Sequence, residues 1–193
     1  MKNWTLAAVL TTCCLSGFTW VSVSHSSQIA QAAEPADKMQ SSRADFQEYC
    51  KAMEGRWIGE VVWVTDWPGF GRKGDKVTGY SDFRISHNNS VLQGRFNAGP
   101  GSGVGLYHYD AGQKQIQGRW VSSGGSVWNL VIYKHAGQWH EHETGSVADG
   151  RPIAMSSVRH ISDDGQTHRR SGSVKIGGES QDPLQDVWRR VGN

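Results

Sequence analysis

The sequence contains very little cysteine, with three residues in a chain of 193. Two of them, Cys13 and Cys14, lie in a leader that we expect to be removed, so the mature chain keeps Cys50 alone and an intrachain disulfide is excluded. Cys50 falls on the apolar face of a predicted helix, where a free cysteine is usually a small buried hydrophobe rather than a reactive thiol. Burial and hydrogen bonding must therefore hold the fold together.

Long hydrophobic runs are also absent. The apolar stretch that begins at Leu6 is interrupted by Thr11, Thr12 and Ser16, and it falls short of the roughly 20 continuous residues that a membrane span needs. Lys2 precedes this stretch, and the small residues Ala30–Ala33 follow it. These features predict a secretory signal peptide over residues 1–33 and a secreted or periplasmic protein without a stable membrane span. Lipidation of Cys13 is an alternative.

Charge of one sign is not clustered, and catalytic signatures are missing. The formal net charge is +2 and the arginines are scattered, whereas nucleic-acid binding usually requires a clustered basic face. The chain has no Gly-x-Ser-x-Gly elbow and no His-Glu-x-x-His pattern, and its Gly99–Gly103 segment lacks the Gly-Lys-Ser/Thr of a phosphate loop. We therefore predict no nucleic-acid partner and no catalytic residue, and we interpret Gly99–Gly103 as a hairpin loop.

A short helix followed by many strands is what the sequence does contain. Phe46, Tyr49, Cys50 and Met53 recur at spacings of three and four, which predicts a helix over Arg43–Glu54. A polar segment over residues 34–42 precedes the helix, and we interpret it as a flexible leader that ends in a serine cap. A single domain is expected over residues 43–193.

About ten short strands are predicted after the helix. They are Trp57–Thr65, Lys76–Ser86, Ser90–Asn97, Gly103–Tyr109, Gln115–Ser122, Ser126–Lys134, Gln138–Ser146, Pro152–Ile161, Gln166–Ile176 and Leu184–Val191. The segments between them are rich in Gly, Asn and Asp, which favour tight hairpin turns. The fold class is therefore all-β, and an up-and-down antiparallel barrel of roughly 8–10 strands is favoured over an open two-sheet sandwich.

Two motifs carry a resemblance to a known family group. Gly55-Arg56-Trp57, followed by the hairpins, resembles the entry to a calycin barrel, the group that includes lipocalins, fatty-acid-binding proteins and nitrobindins. The segments Gly105–Asp110 and Gln117–Ser123 are similar to a motif of uncharacterised secreted bacterial calycin-like domains. The resemblance spans about residues 46–191 and implies a barrel that can hold a ligand in its interior.

Aromatic and cationic side chains are the candidate ligand contacts. Seven tryptophans follow the predicted signal peptide; Trp57, Trp63 and Trp120 are among them, and they either fill the barrel or line a cavity. Strand alternation places Arg159, His168 and Arg170 inside. A buried arginine needs a partner, which is either a ligand carboxylate or an internal glutamate such as Glu60 or Glu141.

Histidines are the candidate metal ligands. His140 and His142 share one face of a strand and could bind zinc together, although the sequence supplies no obvious third ligand. The resemblance to nitrobindins suggests His160 or His168 as a haem ligand. We predict no cofactor, and zinc and haem are the alternatives.

These observations together predict a secreted, non-catalytic binding module for a small-molecule or lipid-like ligand that is partly apolar and could be anionic. One alternative is a barrel hydrolase or isomerase that uses a His–carboxylate pair. Another is an envelope domain that binds a protein through its outer face. The sequence leaves the oligomeric state open.

Overall fold

The computed structural model describes residues 39–192, so the predicted signal peptide and most of the predicted leader lie outside the described residues. One helix, α1 (Arg43–Met53), precedes eleven strands. The strands are β1 (Gly55–Val62), β2 (Lys76–Ser86), β3 (Val91–Ala98), β4 (Gly101–Asp110), β5 (Gln115–Ser122), β6 (Val127–His135), β7 (Gln138–Ser146), β8 (Pro152–Ile161), β9 (Thr167–Ile176), β10 (Glu179–Ser180) and β11 (Leu184–Arg190).

The strands form a closed antiparallel barrel, which confirms the predicted fold class. Each strand from β1 to β9 pairs with the next one along the chain, and β11 pairs with both β9 and β1, so ten strands complete the ring. The two-residue β10 pairs with the end of β9. Because every long strand has two neighbours, the barrel leaves none of them as an unpaired edge, and the open sandwich is wrong.

Several predicted strand boundaries differ from the structure, and two of these differences bear on the shape of the barrel. β1 ends at Val62 rather than Thr65, because residues 63–75 form a loop of their own that is tied by a bridge between Trp67 and Gly71. β4 begins at Gly101, where it pairs with Ala98 across a two-residue turn. The predicted five-residue hairpin loop is therefore shorter, and Gly101–Gly103 belongs to the barrel wall.

The helix α1 closes one end of the barrel. Ser42 caps its first turn in a capping box with Asp45, and its apolar face is buried through Phe46, Tyr49, Cys50 and Met53. Burial raises the pKa of the Cys50 thiol to about 12, which agrees with the expected role as a buried hydrophobe.

Further hydrogen bonds hold α1 on the barrel. The Ser41 hydroxyl donates to the carbonyl of Ile132 over 2.9 Å, so the last part of the predicted leader is anchored. The Arg190 guanidinium donates to the carbonyl of Ala52 over 3.0 Å and to that of Glu54. A cation near the C-terminus of a helix is favourable, since it offsets the partial negative charge of the last carbonyls.

The loop over residues 63–75 covers the opposite end. Phe70 packs edge-on against Trp63, with ring centroids 5.4 Å apart, and Trp67 stacks on Trp128 at 5.8 Å. The barrel therefore has one end closed by a helix and another covered by a loop. Within residues 39–192, no helix combines the length and apolar character needed to cross a membrane.

Candidate functional site: an interior cavity

A cavity of about 210 Å³ lies in the barrel toward the loop-covered end and is partly open to solvent. Its apolar lining comes from all parts of the barrel wall and from the loop: Val61, Val62, Trp63, Val64, Trp67, Phe70, Phe83, Phe96, Tyr107, Trp120, Trp128, Leu130, Met155, Val174, Leu184 and Trp188. Its charged and imidazole lining comes from the four neighbouring strands β7, β8, β9 and β11: Glu141, Glu143, Arg159, His168, Arg170 and Asp186. The cavity is therefore amphipathic, with a broad aromatic wall that faces a narrower polar one.

Glycines make room for the aromatic wall. A side chain at Gly94 would place its Cβ 2.7 Å from the Trp120 ring, and a Cβ at Gly105 would lie even closer to the same ring. Trp120 therefore lies across the glycines of β3 and β4, and its indole nitrogen donates to the Tyr107 hydroxyl over 2.7 Å. This contact fixes the orientation of the ring at the cavity surface.

The polar wall is organised around Glu141, which is 1% exposed. Arg159 donates to both carboxylate oxygens, through Nε over 2.6 Å and Nη2 over 3.1 Å. Arg170 approaches the same carboxylate with its Nε at 2.8 Å and pairs with Glu143 through Nη2. The Tyr49 hydroxyl of α1 adds a hydrogen bond over 3.2 Å. The buried Arg159 and the partly buried Arg170 therefore both have carboxylate partners from β7.

Electrostatics favour the ionised form of this cluster. Burial by itself would raise the pKa of the Glu141 carboxyl, but Arg159 and Arg170 outweigh that effect and hold the pKa at about 2. Burial would lower the pKa of Arg159, yet Glu141 raises it overall. Burial and the nearby Glu141 carboxylate raise the pKa of Tyr49, which therefore remains a neutral donor.

His168 is neutral and has one fixed tautomer. Arg159 donates from Nη1 to the imidazole Nδ1 over 2.9 Å, and since a guanidinium can only donate, the proton of His168 lies on Nε2. Burial and the nearby Arg159 charge lower the pKa of His168 to about 2. The imidazole lies between two indoles, edge-on to Trp57 at 4.6 Å and stacked on Trp188 at 6.0 Å.

Several buried polar atoms of the cavity lining have no hydrogen-bond partner among the described residues. Apart from Oε1 of Glu143 and Nη2 of Arg170, which form an ion pair with each other, they are Nε1 of Trp63, Nε1 of Trp128, Nε2 of His168 and Oδ1 of Asp186. Asp186 is 8% exposed, and burial raises the pKa of its carboxyl although Arg170 and Arg159 act in the opposite direction. Buried polar groups are normally paired, so such a concentration at one cavity is typical of a binding site.

The structure brings together most of the sequence-predicted ligand contacts. Arg159, His168, Arg170, Trp63 and Trp120 all line the cavity, with Arg159, His168 and Arg170 inside the barrel as strand alternation predicted. Trp57 is 1% exposed but lies below the cavity, where its indole nitrogen donates to the carbonyl of Met53 over 2.9 Å. The roles of these residues in ligand binding stay predictions.

Glu143 and Asp186 are cavity residues that the sequence reasoning missed. Both could have been found by extending the strand alternation, since Glu143 shares a face with Glu141 and Asp186 shares one with Trp188. Of the two glutamates suggested as an arginine partner, Glu60 lies on the surface beside Lys76 and Glu141 is the partner.

The suggested metal ligands lie on the outer face of the barrel. His142 accepts or donates at both ring nitrogens, with Ser156 Oγ at 3.1 Å from Nδ1 and Tyr133 Oη at 3.3 Å from Nε2. His140 stacks on Tyr133 at 5.1 Å. Across residues 39–192, no group of three His, Cys, Asp or Glu side chains is placed to hold a metal ion. His168, one of the two suggested haem ligands, lies in the polar wall, whereas His160 is exposed.

In comparisons with known proteins, no family model and no curated sequence matches this chain. The closed barrel is compatible with a calycin-like fold. Function must therefore be argued from the cavity and its side chains.

Proposed function

We propose that the protein is a non-catalytic binding barrel that holds a small, largely apolar molecule in its interior cavity. One observation carries this proposal: the aromatic lining surrounds open volume and meets a polar wall, and buried polar atoms of both have no hydrogen-bond partner among residues 39–192. Protein interiors are otherwise packed to a density close to that of organic crystals. A hollow site with a few convergent polar groups is the usual composition of a small-molecule pocket.

The volume limits the ligand to a molecule of about one or two rings. A cavity of roughly 150 Å³ lined by apolar side chains is large enough for benzene, and this cavity measures about 210 Å³. A long acyl chain would not fit in that space. Size therefore favours a compact aromatic or alicyclic molecule over a lipid.

The arginines give no support to an anionic ligand. The sequence suggested that a ligand carboxylate could bridge Arg159 and Arg170, but Glu141 occupies that position and contacts both guanidinium groups. A ligand anion would have to displace a buried protein carboxylate that two cations already stabilise.

The imidazole supports binding over catalysis. A general base needs a pKa near the working pH, and His168 is held neutral with a pKa of about 2 and bonds to Arg159 rather than to a carboxylate. This arrangement lacks the His–carboxylate geometry that the hydrolase and isomerase alternatives require.

A titration with naphthalene, a neutral bicyclic hydrocarbon, tests the proposal. We expect the indole N–H signals of Trp63 and Trp128 to shift in ¹H–¹⁵N spectra of the labelled protein, because both nitrogens belong to cavity-lining residues that lack a protein partner. Replacing Ser81, which lines the cavity on β2, by leucine fills part of the volume and should weaken binding about tenfold or more. Native mass spectrometry of the purified protein would show any co-purifying molecule.

The matched control is Thr78→Leu, on the same strand but exposed. It should leave the naphthalene affinity unchanged. Naphthalene that fails to bind, or that binds equally well to the Ser81→Leu protein, would contradict the proposal.

A further inference from the structure

The charges of the cavity wall do not balance when its acidic groups are ionised. The lining contains two guanidinium groups, those of Arg159 and Arg170, and three carboxyl groups, those of Glu141, Glu143 and Asp186. His168 adds no charge, because its imidazole is neutral. Two carboxylates are used by the two arginines. Asp186 is therefore the surplus carboxyl of the described wall.

Asp186 is held in a position that is unusual for a free carboxyl. It lies opposite Arg170 in the β9–β11 register, yet its Oδ1 has no hydrogen-bond partner among residues 39–192. Carboxylates that are more than nine-tenths buried are normally paired or hydrogen-bonded on both oxygens. Because Asp186 lines the cavity, a donor bound there can pair with its carboxyl group.

Aromatic rings line the same cavity as this carboxyl. Trp188 lies two residues after Asp186 on the same face of β11. Phe96 packs edge-on against Trp188, with ring centroids 6.0 Å apart. Trp63, Trp67 and Trp128 cover the loop end of the same cavity. The face of an aromatic ring attracts a cation, by about 0.5–1 kcal/mol at exposed sites and by roughly 2 kcal/mol or more where water is excluded.

We propose that the ligand is a small organic cation, namely an aromatic or alicyclic amine whose ammonium group pairs with Asp186 while its ring packs among the tryptophans. This inference rests on the proposed binding function and specifies its ligand class. The surplus carboxyl, the unpartnered Oδ1 and the aromatic lining are the three observations that support it. An anion would find both arginines occupied, and a purely apolar molecule would leave the Asp186 carboxyl without a partner.

Three ligands that share one ring and differ in charge provide the test. They are 2-phenylethylamine, 2-phenylethanol and 3-phenylpropionate, and their affinities for the protein are measured by calorimetry at pH 7.5. The amine is expected to bind about tenfold more tightly than the alcohol, and the carboxylate is expected to bind most weakly. Equal binding of amine and alcohol, or tightest binding of the carboxylate, would overturn the proposal.

The variant Asp186→Asn separates the carboxyl from the rest of the cavity. It should reduce the amine affinity about tenfold and leave the alcohol affinity within about threefold, since the ring contacts are unchanged. Asp182→Asn is the matched control, because Asp182 is exposed and pairs with Lys73 outside the cavity. A loss for the amine that is equal in both variants would overturn the assignment of Asp186.

Lowering the pH gives a second readout that a merely structural role of Asp186 would not produce. Amine affinity should fall as the Asp186 carboxyl takes up a proton, while alcohol affinity stays constant over the same range. The groups that face Asp186, namely Arg159, Arg170, Glu141, Glu143 and His168, are present for both ligands, so the alcohol corrects for their titration. Parallel curves for the two ligands would overturn the proposal.

A naphthalene titration distinguishes failure of the cation assignment from failure of the proposed binding function. If naphthalene binds and the amine does not, the cavity binds ligands but the cation assignment is wrong. If naphthalene does not bind, the proposed binding function fails, and the cation assignment that rests on it fails with it.

Discussion

The two ends of this barrel are built from the same strands, yet one is filled and the other is hollow. At the helix end, Phe46, Tyr49 and Met53 occupy the interior, and the indole of Trp57 has its hydrogen bond to Met53. At the loop end, aromatic rings surround about 210 Å³ of open volume, and the indole nitrogens of Trp63 and Trp128 have no hydrogen-bond partner within residues 39–192. Burial is extensive at both ends, so the difference lies in packing and in polar satisfaction.

This difference separates stability from binding. Tight packing and completed hydrogen bonds at the helix end stabilise the barrel, because dispersion contacts are made on all sides of each ring. Unfilled volume and unpaired polar atoms at the loop end cost stability and leave groups that a ligand can satisfy. The Glu141 cluster lies between the two regions, since it contacts Tyr49 of α1 on one side and lines the cavity on the other.

The largest expected effect is at the filled end. Trp57→Ala should lower the free energy of unfolding by about 3 to 5 kcal/mol, the usual cost of removing a fully buried tryptophan. It also removes the bond to Met53 and the face on which the Arg190 guanidinium lies, 4.2 Å from the ring centroid. Urea denaturation monitored by circular dichroism measures this loss.

The comparison residue is Trp63, a partly buried ring at the hollow end. Trp63→Ala should cost clearly less than Trp57→Ala, because part of the Trp63 ring already borders open volume. Equal losses at the two positions would mean that the ends do not differ in packing.

The second expected effect concerns the cluster between the ends. Glu141→Gln should destabilise the protein by roughly 3 kcal/mol at pH 7, because it leaves Arg159 without its carboxylate partner and leaves Arg170 paired with Glu143 alone. The decrease in the pKa of Glu141 from 4.5 to about 2 corresponds to a similar free energy. Chemical denaturation at pH 7 measures the difference, and Glu60→Gln on the surface, which should change stability by less than about 0.5 kcal/mol, is the control.

The pH dependence of this effect has a definite sign. A carboxyl whose pKa is lowered on folding stabilises the protein above its unfolded value and loses that contribution as the pH falls through its folded value. The stability difference between the native protein and Glu141→Gln should therefore be complete above pH 4.5 and should disappear toward pH 2. A difference that stays constant across this range would show that Glu141 is not ionised in the barrel.

Strand alternation and turn chemistry were sufficient to predict the barrel. Most predicted strands agree with the structure to within two residues, because each alternates between an interior and an exterior face and ends at Gly, Asn or Asp. The loop over residues 63–75 was harder to predict. Trp63, Val64 and Thr65 continue the strand composition of β1, and only the tertiary contacts of Trp67 and Phe70 separate this segment from the strand.

The site was predictable in part. Alternation placed Arg159, His168 and Arg170 inside, but it could not choose between Glu60 and Glu141 as the partner, since that choice depends on which strands become neighbours after closure. Whether seven tryptophans fill a barrel or line a cavity depends on rotamers and on the glycines opposite them, such as Gly94 beside Trp120. A linear pattern does not contain that information.

The smallest expected effect is a gain in the free energy of unfolding, and it compares the carboxyl groups of Asp186 and Glu141 in the polar wall of the cavity. Burial raises the pKa of Asp186, whereas arginines lower that of Glu141, so ionisation of Asp186 is unfavourable in the folded protein. Asp186→Asn should therefore raise the free energy of unfolding by about 1 kcal/mol at pH 7, within the range associated with an unsatisfied buried group. A raised pKa stabilises the fold at low pH and loses that contribution as the pH rises, so the gain from Asn should vanish near pH 3. Urea denaturation at both pH values, with Asp182→Asn as the exposed control, measures it. A loss of stability at pH 7 would mean that Asp186 acts mainly as a partner of Arg170 and is not an unsatisfied group of the hollow end.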